Sequence, residues 1–265
     1  MSVEVLASVM NQNMETLVKR MRLESDAVII NQCGRQKYEE MEHKGCRIRF
    51  FSSSQRGVGN SRNAAIEKAD GDICLFSDED IVYEPGYAEA IEREFAVNPR
   101  ADMILFNIHV AESRRTYHIT SRQKVHWYNC GRYGAVSFAV RRSVLERSGV
   151  RFSTLFGGGA QFSNGEDSLF LKELMDKGYR VYTAPVLIGR EMSEGSSWFN
   201  GYDRKFFYDR GVLYAFLYGA MAVPFGVRFL ARHRKKMCTK VRFREALRWL
   251  IDGVREGRRL KKGGA

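Results

Sequence analysis

Three consecutive carboxylates follow an apolar run that predicts a buried strand. Asp78, Glu79 and Asp80 come directly after residues 73–76 (ICLF), which suit a strand covered on both faces. In open α/β sheets, ligands bind beyond the carboxyl ends of the strands. Carboxylate oxygens at this spacing suit Mg²⁺ or Mn²⁺, with phosphates completing the shell. An exposed acidic turn, or a set of acids at a helix start, is an equally good interpretation of these residues alone.

A second acidic pair, Glu166 and Asp167, follows the glycine-rich stretch FGGGAQFSNG at 156–165. A structural role explains the pair well, because Asn164 can cap a helix and acids favour its first turn. The functional interpretation is a general base, since transfer of a group to a hydroxyl requires a base within hydrogen-bond reach of that hydroxyl. An aspartate at a helix start beside such a loop can fill that role.

A third candidate is the segment RGVGNSRN at 56–63. Its glycines allow close backbone approach, the helix start offers free N–H groups, and Arg56 or Arg62 can meet a diphosphate. It is not a Walker loop, because no Gly-Lys-Ser/Thr follows. It is not a dinucleotide fingerprint either, because G-x-G-x-x-G is missing.

The elements around these candidates alternate between strand and helix patterns, which predicts βα units around a mostly parallel sheet. The patterns predict strands over residues 3–10, 27–30, 47–51, 73–76, 103–108, 135–140 and 179–184. They predict helices over residues 14–23, from Asn60 or Ser61 to 69, 142–148 and 166–177. The sheet domain is therefore expected to cover residues 1–190. Residues 191–265 are expected to form an aromatic lid segment and a basic, amphipathic helical extension.

The order of these elements and motifs resembles the family 2 glycosyltransferases of GT-A fold, over roughly residues 3–186. The specific pieces are Arg56-Gly57, Ser61-Arg62-Asn63-Ala64, Asp70-Gly71-Asp72, residues 76–80 (FSDED) and residues 164–167 (NGED). Residues 134–142 (GAVSFAVRR) and 150–152 (VRF) also look like the family's acceptor half. The fold class implied is α/β, with a Rossmann-like, mostly parallel central sheet flanked by helices.

The resemblance implies an inverting transfer from a nucleotide-diphosphate sugar, most often a UDP-sugar, to a glycan or lipid-linked saccharide in cell-surface polysaccharide synthesis. It implies a divalent metal, Mn²⁺ or Mg²⁺, on the diphosphate, with Asp80 and Asp78 as the matching acids. Asp167 matches the catalytic base and Glu166 is its usual neighbour. The nucleotide would be held near Ser8, Asn11, Asn31, Arg62 and Asp78.

Two features depart from the family pattern. Residues 31–34 (NQCG) stand where the family usually carries acids after its second strand. Many members also supply a late histidine to the metal, yet none lies between His126 and His233. Glu191, Ser193 or Glu194 could occupy that place.

The positive charge is concentrated at the C-terminal end. The net charge is +12, yet residues 228–265 hold fourteen Lys and Arg against three acids. Apolar and aromatic side chains alternate with these charges, which favours a basic amphipathic helix at an anionic membrane surface over a merely solvated one. The apolar stretch 212–227 contains Gly219, Pro224 and Gly226 and predicts a buried or interfacial helix pair rather than a membrane span.

The remaining composition limits the classes of protein. Five cysteines without C-x-x-C spacing, and no secretory leader, favour the cytoplasm, here at the inner membrane face. A nucleic-acid-binding protein is less favoured, because the body is nearly neutral outside the tail. A nucleotidylyltransferase and a non-catalytic sugar-nucleotide-binding protein are further alternatives. The aromatic residues at 198–208 are interpreted as a packed lid or core rather than a sugar-stacking platform.

Overall fold

The computed structural model describes residues 1–110, 117–192 and 201–263. Ser193, Glu194 and the start of the aromatic segment, 198–200, lie outside the described residues. The chain divides into two compact units. The sheet unit comprises Met1–Ala160 and Glu166–Gly195, and the helical unit comprises Gln161–Gly165 and Ser196–Ala265. The sequence-based boundary near residue 190 stays a prediction.

The sheet unit is built on one mixed sheet of nine strands. They are β1 (Val3–Met10), β2 (Asp26–Gln32), β3 (Lys37–His43), β4 (Cys46–Ser53), β5 (Ile73–Asp78), β6 (Ile81–Tyr83), β7 (Met103–His109), β8 (Phe138–Arg141) and β9 (Val181–Glu191). The spatial order is β3-β4-β2-β1-β5-β8-β7-β9-β6. Strands β4, β2, β1 and β5 run parallel, so their carboxyl ends lie at one edge. That edge is where α/β sheets bind ligands.

Helices cover both faces of the sheet. They are α1 (Met14–Met21), α2 (Val58–Glu67), α3 (Tyr87–Val97), α4 (Arg142–Ser148) and α5 (Glu166–Asp176). On one face, Val5 and Ala7 of β1 share a core with Leu17 of α1 and Ile91 of α3. On the other face, the ring of Phe76 in β5 lies 5.7 Å from that of Phe170 in α5. Strands β1 and β5 are apolar on both sides because both sides are covered.

Several elements differ from the sequence-based prediction. The predicted strand 135–140 begins as a 3₁₀ turn, and β8 starts only at Phe138. Helix α2 starts at Val58 behind Gly57, whose φ of +103° sets the turn, so neither Asn60 nor Ser61 is its cap. Strand β9 continues through Pro185, because the β7–β9 ladder shifts register there and needs no N–H from that residue.

A buried ion pair fixes the base of the parallel strands. Glu4 of β1 is 2% exposed, and Arg49 of β4 donates to it at 2.6 Å. The backbone N–H groups of Asp70 and Gly71 donate to the second carboxylate oxygen at 2.7 and 2.9 Å. The charge of Glu4 is therefore fully compensated, which is what a buried carboxylate requires.

The helical unit contains three helices in its described part: α6 (Arg204–Tyr218), α7 (Ala222–Met237) and α8 (Phe243–Lys262). Asp203 caps α6 by accepting a hydrogen bond from the N–H of Phe206 at 2.8 Å. A 3₁₀ turn at Gly219–Met221 separates α6 from α7. Each of these two helices is shorter than the roughly 20 residues that a perpendicular span needs.

Glycines let α6 and α8 approach backbone to backbone. A Cβ on Gly253 would lie 2.0 Å from the carbonyl oxygen of Tyr208, and one on Gly211 would lie 2.0 Å from that of Leu250. No side chain fits at either position, so the two helices pack at a distance that only glycine allows.

We expect Gly253→Ala to lower the free energy of unfolding by about 2 kcal/mol, because the helices must separate to admit the methyl group. Urea denaturation followed by circular dichroism measures the change. Gly263→Ala is the matched control, since its Cβ would lie 3.7 Å from the nearest atoms and its φ is −82°. Equal stability of the two variants would contradict the proposed helix contact.

Candidate active site

Arg62 of α2 joins two of the predicted acidic motifs. Its Nη2 donates to Oδ1 of Asp78 at 2.9 Å, and its Nη1 donates to Oε1 of Glu166 at 3.0 Å. The Arg62 side chain is 4% exposed, whereas Asp78 keeps 37% of its side chain exposed. Burial lowers the pKa of Arg62, but the charges of Asp78 and Glu166 outweigh it and leave the pKa above its usual value. The guanidinium is therefore a fixed positive charge at the edge of the sheet.

The three consecutive acids have different roles. Asp78 ends β5, where burial raises its pKa, Arg62 lowers it and the charge of Asp80 raises it again. Glu79 accepts a hydrogen bond from the backbone N–H of Met10 at 2.5 Å, at the end of β1. Burial raises the pKa of Glu79 as well. Glu79 thus ties two strand ends together, while Asp78 belongs to the cluster around Arg62.

Asp167 lies in the first turn of α5, next to Glu166. Burial and then the neighbouring charge of Glu166 raise its pKa to about 7. Its Oδ1 accepts from the backbone N–H of Ser168 at 2.6 Å and from the Ser168 hydroxyl at 3.3 Å. Its Oδ2 lies on the side of Gly134, 4.0 Å from where a Cβ on that residue would stand. A carboxyl with this pKa can accept a proton near neutral pH.

The glycine loop lies directly against the start of α2. A Cβ on Gly157, whose φ is +106°, would lie 2.7 Å from Val58 and 2.9 Å from the carboxylate of Glu166. The carbonyl of Gly158 accepts from the N–H of Val58 at 3.0 Å. Only glycine allows the loop this close to Glu166, which gives the glycine-rich stretch a structural reason.

The residues expected near the nucleotide occupy the ends of β1 and β2. Ser8 pairs in register with Asp78 and accepts from the side chain of Gln32 at 3.3 Å. Asn31 is buried and its amide holds the backbone of Gln12, accepting at 3.0 Å and donating at 3.2 Å. Asn11 is exposed with φ +53°. Asn31 therefore shapes the turn after β1, Asn11 is exposed in that turn, and Ser8 is buried within β1.

Gln32 belongs to the segment 31–34 that departs from the family pattern, but the sequence predicted no role for it. Its side-chain oxygen accepts from the N–H of Gly57 at 2.8 Å, and its amide donates to Ser8. Gln32 thus connects the end of β2 to the start of α2 and to β1. A polar residue closing an apolar strand is the signal that could have found it.

A divalent metal fits the carboxylates only in part. Asp78 and Asp80 offer the hard oxygen ligands that Mg²⁺ and Mn²⁺ prefer, and their mutual repulsion is what a cation would offset. Within the described ranges, no group of three or more His, Cys, Asp or Glu residues is placed to hold a metal. Glu191 pairs with Ile81 in the β6–β9 ladder, one residue beyond Asp80. Two protein ligands with donor phosphates match the usual magnesium arrangement.

Solved structures with a similar architecture include TarS and a mannosyltransferase. Residues 1–349 of TarS from S. aureus, in complex with UDP-GlcNAc, align with a TM-score of 0.66 at 14% identity, covering 97% of this chain and 80% of that one. The mannosyltransferase PcManGT from Pyrobaculum calidifontis, in complex with GDP-Man and Mn²⁺, aligns with a TM-score of 0.53 at 16% identity. The alignment covers 97% of this chain and 86% of that one. The sheet unit with its helices is therefore a GT-A fold.

The family follows from the sequence itself. The model of glycosyl transferase family 2 matches residues 3–149, which is more than half of the chain. No curated protein sequence matches. The chain belongs to glycosyl transferase family 2 and is a glycosyltransferase, which confirms the resemblance, the fold class and the enzyme class expected from its motifs.

Proposed function

We propose that this enzyme transfers a sugar, with inversion, from a nucleotide-diphosphate donor to a glycan or lipid-linked saccharide in cell-surface polysaccharide synthesis. The observation that carries the proposal is the cluster of Asp78, Arg62, Glu166 and Asp167. Arg62 bonds both the acid at the end of β5 and the acid beside Asp167. Arg62 thus joins the acid at the end of β5 to Glu166, and the candidate base Asp167 is the next residue along the chain.

The chemistry follows from the properties of Asp167. The acceptor hydroxyl oxygen forms a bond to the anomeric carbon while the bond from that carbon to the diphosphate oxygen breaks. Asp167 takes the hydroxyl proton, and the leaving diphosphate keeps the bonding electron pair. Because the base and the leaving group lie on opposite sides of the reacting carbon, the configuration inverts. A pKa near 7 leaves enough of the Asp167 carboxylate ionised at neutral pH to accept that proton.

Donor recognition is assigned to the strand ends. We propose that Ser8, Asn11 and Asn31 border the nucleotide, with Asp78 nearer its ribose. The donor is a UDP-sugar in this proposal, and TarS, which shares the fold, was solved with UDP-GlcNAc. Asp80 and Asp78 would hold Mn²⁺ or Mg²⁺. A bound metal supplies positive charge that stabilises the departing diphosphate.

The test is thermal stabilisation by uridine nucleotides with Mn²⁺, with Mg²⁺ and with chelator. A ligand at a hundred times its dissociation constant stabilises the folded state by about 2.7 kcal/mol. We expect Asp80→Asn to lose the metal-dependent part of this shift. Asp176→Asn, which changes an exposed aspartate of α5, is the matched control and should keep it. No shift of the wild type with a uridine nucleotide under any of these metal conditions would overturn the assignment of a UDP-sugar donor.

We also propose that the enzyme works in the cytoplasm, at the inner face of an anionic membrane. In support of this, Val227 and Arg228 are exposed side by side on α7, and Met221 is exposed just before that helix begins. By length and composition alone, the helical stretch Arg204–Met237 could cross a bilayer, and 39% of its most apolar window is buried. The core helix of a soluble protein meets the same criteria. Binding to anionic vesicles that salt weakens would support the proposal. Affinity for nucleic acid in place of vesicles would favour the alternative use of the tail.

A further inference from the structure

The helical unit holds an arginine within an aromatic cage. The guanidinium carbon of Arg210 in α6 lies 5.5 Å from the ring centre of Phe206 and 6.0 Å from that of Tyr214. The ring centre of Phe229 in α7 lies 5.2 Å from the same guanidinium carbon. Aromatic faces attract a guanidinium, and three of them hold this one in a fixed place between α6 and α7.

Within the described part of the chain, one donor of Arg210 has no hydrogen-bond partner, although the side chain also hydrogen-bonds that of Tyr214. Its Nε is buried and has no hydrogen-bond partner among the described residues. Within the same residues, no carboxylate forms an ion pair with it. Ring faces offset part of the charge, but a partly buried guanidinium normally finds an anionic acceptor. A hydrogen-bond donor without a partner, on a guanidinium that aromatic rings hold in place, favours a ligand that is anionic and rich in oxygen atoms.

Further cations surround Arg210 on α7. The ring of His233 lies 5.2 Å from that of Phe229, one helical turn away. Burial lowers the pKa of His233, and the charges of Arg232, Lys236 and Arg210 lower it further. Arg232 and Lys236 are exposed. Positive groups therefore converge on this part of α6 and α7, and no acid is among the charges that act on His233.

We propose that Arg210, His233 and Lys236 form a binding site for a phosphate group. A guanidinium binds two phosphate oxygens at once, whereas an ammonium and an imidazole N–H each supply a further donor. The phosphate can belong to a lipid headgroup or to a soluble phosphate compound, because the recognised atoms are the same. This site goes beyond the proposed sugar transfer and uses none of the residues assigned to it.

The first arm of the test measures soluble phosphate. Inorganic phosphate and glycerol phosphate are titrated into the full chain by calorimetry, while NMR follows the His233 ring. We expect Arg210→Gln to weaken binding at least tenfold. Arg244→Gln is the matched control, because it removes one exposed arginine of α8 and should bind as the wild type does. Phosphate binding should also raise the pKa of His233, which a purely structural Arg210 would not produce.

The second arm measures the lipid. Phosphatidylcholine vesicles with and without phosphatidylglycerol are sedimented with the same variants. A defect of Arg210→Gln on these vesicles supports the site and identifies a headgroup as its source, and a defect with soluble phosphate alone identifies a free compound. If Arg210→Gln fails to fold, the exposed Lys236→Gln replaces it. Equal binding by the wild type and these variants in both arms overturns the site, and leaves both the sugar transfer and the general membrane attraction standing.

Discussion

Asp167→Asn is expected to reduce sugar transfer by about 10²- to 10⁴-fold while leaving nucleotide binding unchanged. The amide keeps the shape and the hydrogen bond to Ser168 but accepts no proton from the acceptor hydroxyl. The measurement is the rate of transfer under saturating donor, together with the nucleotide-induced shift of the melting temperature. Asp176→Asn, in the last turn of the same helix, is the control and should transfer at the wild-type rate.

The pH dependence separates a base from a structural carboxylate. Because the pKa of Asp167 is raised to about 7, the wild-type rate should fall as the pH drops below 7. The stability should have the opposite dependence. The folded state binds a proton that an ordinary aspartate with a pKa of 3.8 would release, so stability is lost as the pH rises from about 4 to 7. Asp167→Asn should therefore gain up to about 4 kcal/mol over the wild type at pH 8 and nothing at pH 4. A rate that stays high at pH 5 would exclude Asp167 as the base.

The second large effect concerns Arg62. Arg62→Met is expected to lower the free energy of unfolding by about 3 kcal/mol, because it leaves the Asp78 and Glu166 carboxylates without their shared cation. The loss should be larger at pH 8 than at pH 5, since protonation relieves the uncompensated charge at the lower pH. Arg62→Lys should recover part of the stability, because an ammonium restores the charge but not the fork that reaches two carboxylates.

An exposed ion pair provides the matched control for Arg62. Arg47 pairs with Glu40 at 2.7 Å, with 55% and 38% of the two side chains exposed. Arg47→Met removes the same chemical group and should cost less than about 1 kcal/mol. Urea denaturation of the three variants at both pH values measures the difference. A cost at Arg62 no greater than that at Arg47 would show that the buried cluster does not depend on its cation.

Local sequence patterns predicted some of the buried elements and missed others. Helix α3 and strand β6 were not predicted, although Ile91 of α3 and Ile81 of β6 lie in the core. Strand β1 was predicted over its full range, and α4 likewise, because their apolar residues face covered surfaces. Strand β3 was missed, since its residues KYEEMEH are mostly charged and it lies at the edge of the sheet, where polar side chains remain in water. The continuation of β9 past Pro185 depends on a register shift against β7, which a single segment does not reveal.

The candidate site was predictable as a set of motifs but not as a hydrogen-bonded group. Residue types alone identify Asp78 and Glu166 as candidates. The hydrogen bond from Arg62 to Glu166, however, joins residues 104 positions apart in the chain. The separate role of Glu79 was not predictable, because it lies in the turn after β5 and its partner, the N–H of Met10, is 69 residues earlier in the chain. The role of Asn31 was not predictable either, since its amide holds the backbone of Gln12, and only the folded turn brings them together.

The short segment Gln161–Gly165 has its packing partners far downstream, which fixes the order in which it can become structured during synthesis. The N–H and the hydroxyl of Ser163 both donate to Asp209, 46 residues later, and Gly165 lies against Leu213. At translation rates of roughly 5–20 residues per second, those partners emerge about 2–9 s after the segment itself. The residues immediately preceding Glu166 and Asp167 are therefore among the last to acquire their native contacts. A nascent chain can thus complete its strands well before the segment that leads into the candidate base is held in place.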